Sequence, residues 1–249
     1  MTALLLALIA GAVVGLTLGA LGGGGSVLAV PALIYLLGFT PAAATTAGLI
    51  IVTATSLTAL YAHARAGRVR WKAGAAFAAA GILPAAAAGA AAVHIPQAVL
   101  TIAFAVTAIL SAIKMLRPGD TARPGSGDVR PGRAAGAGAG LGTLTGLLGV
   151  GGGFLAVPAL VTVLAFEMEA AVGTSLLVIT ANSLASLATR SGAAASLDWA
   201  VIGPFIGTAI LGAWDGKRMA AKVAGPRLQR IFAVVLLAVA AFMLADAVT

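Results

Sequence analysis

The chain has 249 residues, and its composition excludes a water-soluble domain. Hydrophobic residues make up 61% of it and charged residues only 9%, against roughly a quarter charged in soluble domains, and the mean hydropathy is +1.09. The net charge of +8 therefore indicates cytoplasmic loops of a membrane protein rather than a nucleic-acid partner. The chain contains no cysteine, which excludes a disulfide framework, a thiolate metal site and a cysteine nucleophile.

Charged residues lie between long apolar segments or at their edges. A helix that spans a bilayer needs about 20 apolar residues, and the sequence offers eight candidate segments. In chain order they are 3–38, 40–62, 73–93, 97–116, 134–165, 170–190, 199–215 and 231–247. We therefore expect an all-α polytopic protein that crosses the cytoplasmic membrane several times and has the lipid bilayer as a partner.

The sequence repeats itself after 127 positions. Gly19–Leu33 aligns with Gly146–Leu160, and eleven of those fifteen positions are identical. The repeat predicts two homologous halves, 1–116 and 134–249, in one membrane domain. The connection 117–133 is rich in proline, glycine and charge, which predicts a flexible cytoplasmic linker.

Two clusters of adjacent glycines lie inside apolar segments. The first is Gly22, Gly23, Gly24 and Gly25, and the second is Gly149, Gly151, Gly152 and Gly153 around Val150. Each glycine lowers helix propensity by about 1 kcal/mol, so such a run should break a helix. A bilayer tolerates broken backbone only inside protein or beside a polar cavity. We interpret the clusters as binding loops, with close helix packing as the alternative; the spaced Gly11, Gly15 and Gly19 favour packing.

These duplicated loops, each followed by an apolar stretch and Pro-Ala-Leu, resemble the sulfite exporter TauE/SafE family of membrane transporters over nearly the whole chain. The resemblance implies secondary transport of small sulfur-containing oxyanions such as sulfite or a sulfonate. It implies a role only for the loops at 22–25 and 149–153, and Val150 stands where the first half has Gly23. An anion channel of the same architecture is the alternative.

The residue chemistry also predicts an anion site. A second helical leg should begin near Ser26 and near Gly153, and the free N–H groups of a helix N-terminus bind oxyanions. Matching polar positions follow in each half, although such hydroxyls also bond back to their own helix. The candidate substrate-binding residues are Gly22, Gly24, Gly25, Ser26, Thr53, Ser56, Gly149, Gly151, Gly152, Gly153, Thr180, Asn182 and Ser183. Because Asn182 is costly to bury, we expect it to have a partner or a ligand.

No pattern in the sequence favours an enzyme. There is no Ser-His-Asp spacing, no His-Glu-x-x-His and no phosphate-binding Walker A loop, so we expect no catalytic residue, no metal and no cofactor. His63 and its repeat counterpart Arg190 lie at segment ends. We interpret them as interface residues that snorkel towards water, in preference to gating residues.

The distribution of basic residues predicts the topology. Eight plain crossings would place 65–72 inside and 217–230, with five basic residues, outside, against the positive-inside rule. If 3–38 and 134–165 are instead Gly-rich re-entrant hairpins, each followed by about three transmembrane helices, both basic loops and the linker are cytoplasmic. The second legs of about 13 residues would then be too short to cross. The halves would be inverted repeats; single long broken helices are the alternative.

Overall fold

We describe a computed structural model that covers residues 2–21, 26–92, 95–116, 131–148, 153–164, 166–189, 197–220, 223 and 225–248. Within these residues every regular element is a helix. In chain order they are α1 (Thr2–Leu21), α2 (Ser26–Pro31, continued by a π-helix at Ala32–Leu36), α3 (Pro41–Arg65), α4 (Trp71–Ala91), α5 (Gln97–Leu116), α6 (Pro131–Leu148), α7 (Gly153–Val163), α8 (Met168–Ala188), α9 (Trp199–Ala220) and α10 (Gly225–Val248).

Backbone hydrogen bonds cap the C-terminal ends of the two short helices. Phe39 N–H donates to the Leu33 carbonyl at 3.0 Å, and Phe166 N–H donates to the Leu160 carbonyl at 3.2 Å. Both bonds span six residues and occupy carbonyls that the last helical turn leaves free. After the first of them, α3 starts at Pro41, where the missing N–H costs nothing. The second legs are thus 11 residues long, roughly 16 Å at 1.5 Å per residue.

The described helices have the length and the surface of a membrane protein. Four are long and apolar enough to span a bilayer, namely Thr2–Leu21, Ala42–Arg65, Trp71–Ala91 and Met168–Ala188. Large apolar side chains also point outward, such as Leu83, which is 79% exposed, and Leu211, which is 70% exposed. Exposing such side chains to water costs free energy, whereas contact with lipid tails does not. The structure therefore confirms the expectation of an all-α polytopic membrane protein.

Glycine faces bring two pairs of helices into backbone contact. α1 packs against α9, and α6 packs against α4. The contacting sets are Gly11, Gly15 and Gly19 of α1 opposite Phe205, Ala209 and Ala213 of α9, and Gly138, Gly142 and Gly146 of α6 opposite Phe77, Gly81 and Ala85 of α4. A Cβ at any of these six glycines would overlap backbone atoms of the facing helix. This confirms the predicted role of the spaced glycines in close packing, which is the main source of helix association in lipid.

The register of these contacts gives the directions of the helices. Residue numbers rise together along α1 and α9 and along α6 and α4, so both pairs run parallel. α8 is parallel to α4, because Gly74 lies against Thr174 and Gly81 against Asn182. α3 is antiparallel to α8, since Ser56 bonds Thr180 in mid-helix while the loop after α3 contacts the start of α8. Lys217 near the end of α9 donates to the Ala62 carbonyl near the end of α3, so these two helices run parallel.

Candidate functional site

The polar residues predicted in mid-chain meet where α3 crosses α8. Thr53, Ser56, Thr180, Asn182 and Ser183 are all buried, with at most 7% of any residue exposed. Ser56 Oγ and Thr180 Oγ1 are 2.8 Å apart and share a hydrogen bond. Neither 1–64 nor 170–189 contains a charged residue. The crossing is therefore polar through hydroxyl and amide groups alone.

Part of this set is satisfied within its own helix. Thr53 donates to the Leu49 carbonyl at 2.7 Å, and Thr180 donates to the Leu176 carbonyl at 2.8 Å. Back-bonding of this kind is ordinary for threonine in membrane helices. It leaves each hydroxyl oxygen as an acceptor, so these two threonines are poor donors for an anion.

Three other side chains on α8 stay unpaired. Among the described residues, the Asn182 amide and the hydroxyls of Ser183 and Ser186 have no hydrogen-bond partner, and all three residues are fully buried. A buried polar group without a partner costs about 1–3 kcal/mol. The expected protein partner of Asn182 is thus missing from the described part of the chain, and the alternative of a ligand remains.

Small residues on α4 make room for this polar face. A Cβ on Gly81 would lie 2.9 Å from both terminal atoms of the Asn182 amide, and one on Gly89 would lie 3.7 Å from the Ser186 Cα. The atom nearest to the added Cβ on Gly89 is Thr189 Oγ1, at 3.1 Å. α4 therefore closes over the unpaired groups without supplying a polar side chain at either glycine.

The predicted Gly loops fall largely outside the described residues. These are Gly22, Gly24, Gly25, Gly149, Gly151 and Gly152. The flanking helices are described: α1 ends at Leu21 and α2 begins at Ser26, while α7 begins at Gly153. The second legs are thus helical from Ser26, directly after the first glycine cluster, and from Gly153, the last glycine of the second cluster.

The interpretation of His63 as a snorkelling interface residue is wrong. His63 is only 2% exposed, and its ring has a nitrogen without a hydrogen-bond partner among the described residues. It lies beside the backbone of Gly19 and near Lys217 and Arg68. The side of the last α3 turn that carries His63 is covered by α1 and α9, whereas Tyr61 and Arg65 on the other side are exposed. Arg190 lies outside the described residues.

Sequence reasoning missed Ser186. The sequence pattern that predicts the site pairs polar residues of the two halves, and the counterpart of Ser186 at the 127-residue offset is Ala59. The available signal was its spacing of four residues from Asn182, which places both side chains on one helix face.

The comparisons with known proteins agree on a family of membrane transporters. The profile of the sulfite exporter TauE/SafE family matches residues 7–243. Two relatives from Xylella fastidiosa, strains 9a5c and Temecula1, are each described as a "probable membrane transporter protein". Each is 32% identical over 242 residues, covering 94% of this chain and 92% of the relative. No solved structure matches this chain significantly.

Proposed function

The chain belongs to the sulfite exporter TauE/SafE family of membrane transporters, and we propose that it is a secondary transporter of small sulfur-containing oxyanions in the cytoplasmic membrane. The single observation that carries the binding part of this proposal is the unpaired polar face of α8. Asn182, Ser183 and Ser186 are buried in an apolar helix bundle with no partner among the described residues. Their burial cost is offset when a ligand accepts their hydrogen bonds.

The chemistry of these groups favours an anion held by dipoles. Serine hydroxyls and the asparagine amide donate hydrogen bonds, and hydrogen bonds to an ionised acceptor are about twice as strong as neutral ones. The helix N-termini at Ser26 and Gly153, together with the adjacent glycine backbone, add N–H donors on the same principle. Without a cation in 1–64 or 170–189, the site has modest affinity, which suits a carrier that must release its substrate.

The helix directions support an inverted-repeat topology with two re-entrant hairpins. α1 and α3 are both parallel to α9, so the segment between them, which contains the 11-residue second leg, brings the chain back to its starting side. The same holds for α6 and α8, which are both parallel to α4. Since α3 and α8 are antiparallel, the halves are inverted. Eight plain crossings would place Lys217 and Ala62 on opposite sides, whereas they are bonded.

Transport by purified protein in proteoliposomes tests the proposed function. We expect saturable uptake of labelled sulfite, thiosulfate or a sulfonate, and accelerated exchange when unlabelled anion is present on the other side, since counterflow marks a carrier. Near-diffusive currents without saturation would instead identify the channel. Absence of uptake and exchange for every sulfur oxyanion in correctly inserted protein would overturn the proposed substrate class.

Variants in the glycine clusters test, in the same assay, whether these loops bind the substrate. Gly24→Val and Gly151→Val each place a branched side chain in a backbone segment that we assign to the substrate, so transport should be abolished while membrane insertion is retained. Normal transport by both inserted variants would remove the loops from the site.

A further inference from the structure

A partly buried group of basic side chains lies where the last turns of α1, α3 and α9 meet. Lys217 of α9 donates through Nζ to the Ala62 carbonyl of α3. The neighbouring His63 is 2% exposed and has a ring nitrogen without a partner among the described residues. Arg68, in the loop after α3, lies within electrostatic range of His63. We call His63, Lys217 and Arg68 the basic cluster.

The basic cluster lies against the C-terminal end of α1, whose last residue, Leu21, directly precedes the first glycine cluster in the sequence. His63 lies beside the backbone of Gly19, three residues before Gly22. Gly216, which precedes Lys217, packs against Leu16 and Ala20 in the last turn of α1. The cluster is therefore within about one helical turn of the point where α1 ends and the glycine run begins.

Ordinary structural roles account for only part of this arrangement. A lysine that bonds a carbonyl in the last turn of a helix is a common C-terminal cap, and Arg68 pairs with Glu169 at 3.3 Å. Capping does not account for His63, whose buried ring faces the backbone carbonyl of Gly19 and has a further nitrogen without a partner among the described residues, although buried polar atoms normally have one. The Lys217 ammonium has three N–H donors, and one of them donates a hydrogen bond to the Ala62 carbonyl. No carboxylate of the described residues pairs with it.

We infer that the basic cluster is an anion-capture site, in which Lys217 and His63 bind a small oxyanion at the entrance to the first glycine loop. The inference rests on the proposed function and adds a second binding site to it, distinct from the uncharged face of α8. A cation at the entrance raises the local concentration of anions and speeds their capture, while the dipolar site beyond it holds them weakly enough to pass on. In the proposed topology this entrance opens towards the cytoplasm, because the basic loops 65–72 and 217–230 follow it.

The test compares Lys217→Met with Arg218→Met. Arg218 is the next residue along α9, is exposed and pairs with Asp215, so both variants lose one positive charge at the same level and only the first loses the cluster. We expect KM for sulfite supplied from the cytoplasmic side to rise about tenfold in Lys217→Met and to change less than twofold in Arg218→Met. Lys217→Arg, which retains the charge, should recover most of the loss.

Binding to detergent-solubilised protein separates this inference from the proposed function. Sulfite, sulfate and phosphate should each raise the melting temperature of the wild type, and Lys217→Met or His63→Leu should reduce that gain. If an oxyanion stabilises the wild type but no sulfur oxyanion is transported, the substrate class fails and the capture site stands. A cap alone predicts that Lys217→Met lowers the melting temperature with KM and the sulfite-induced gain unchanged, and that result overturns the inference. The inference is also overturned if no oxyanion raises the melting temperature of the wild type.

Discussion

At the residue scale, equivalence in sequence does not give equivalence in contacts. Ser56 and Ser183 occupy matching positions of the two halves, as do Thr53 and Thr180. Ser56 bonds Thr180, but the mirror pair of Ser183 with Thr53 is not formed, and Ser183 Oγ stays unpaired among the described residues. The sequence repeat identifies the polar positions. The side-chain geometry where α3 crosses α8 decides which of these hydroxyls are unpaired.

Asn182→Leu separates a binding role from a structural one. Leucine has a similar size and no polar atoms, so the variant loses a buried unpaired amide and should melt no lower than the wild type. It should also lose a hydrogen bond to the anion, which raises KM about tenfold. Thr143→Val is the matched control, because Thr143 is exposed and bonds only within α6, and it should transport normally. A destabilised Asn182→Leu protein with unchanged KM would make Asn182 a structural residue.

At the element scale, the glycine-to-backbone contacts decide which helices are neighbours. The first helix of each half packs against the fourth helix of the other half, α1 on α9 and α6 on α4. Helices in lipid gain little from burying apolar surface, because the lipid is equally apolar, and close packing of small residues takes its place. The sequence predicts that Gly11, Gly15 and Gly19 pack closely, but nothing in their spacing names α9 as the partner.

A valine at Gly142 tests this contact against a control on the same helix. A Cβ at Gly142 would overlap the backbone of Gly81, whereas one at Gly140 meets nothing within 4 Å. We expect Gly142→Val to lower the melting temperature and the yield of folded protein in detergent, since α6 must move away from α4. Gly140→Val should change stability by less than about 0.5 kcal/mol. Equal behaviour of the two variants would argue against backbone contact between α4 and α6.

At the scale of the whole molecule, the contacts bring three helix ends together at one end of the bundle. The end of α3, the start of α8 and the end of α9 meet there through Arg68, Glu169 and Lys217. Since α6 and α4 are parallel and α4 starts at this end, α6 also starts there, directly after the linker. One basic end agrees with the positive-inside rule, which the plain eight-span topology would violate.

Single-cysteine labelling tests the proposed topology on a chain without native cysteine. Cysteines at Ala66 and Ala221 should react only from the cytoplasm, and one at Thr249 only from outside. Ala66 is preferable to its neighbour, because Gly67 has φ of +69° and a side chain there would strain the loop. Reaction of the Ala221 cysteine from outside would contradict the hairpin topology and favour eight plain crossings.

The sequence by itself determined the class of the protein, because mean hydropathy and the positions of charge depend only on composition and order. It also predicted short second legs after the glycine clusters, since glycine and proline act on the helix over a few residues. Only the tertiary structure decided that His63 is buried, that Asn182 and Ser186 face glycines of α4, and that Lys217 reaches α3. Those facts depend on contacts between residues that are far apart in the sequence, and helix periodicity does not predict which helix lies opposite a given face.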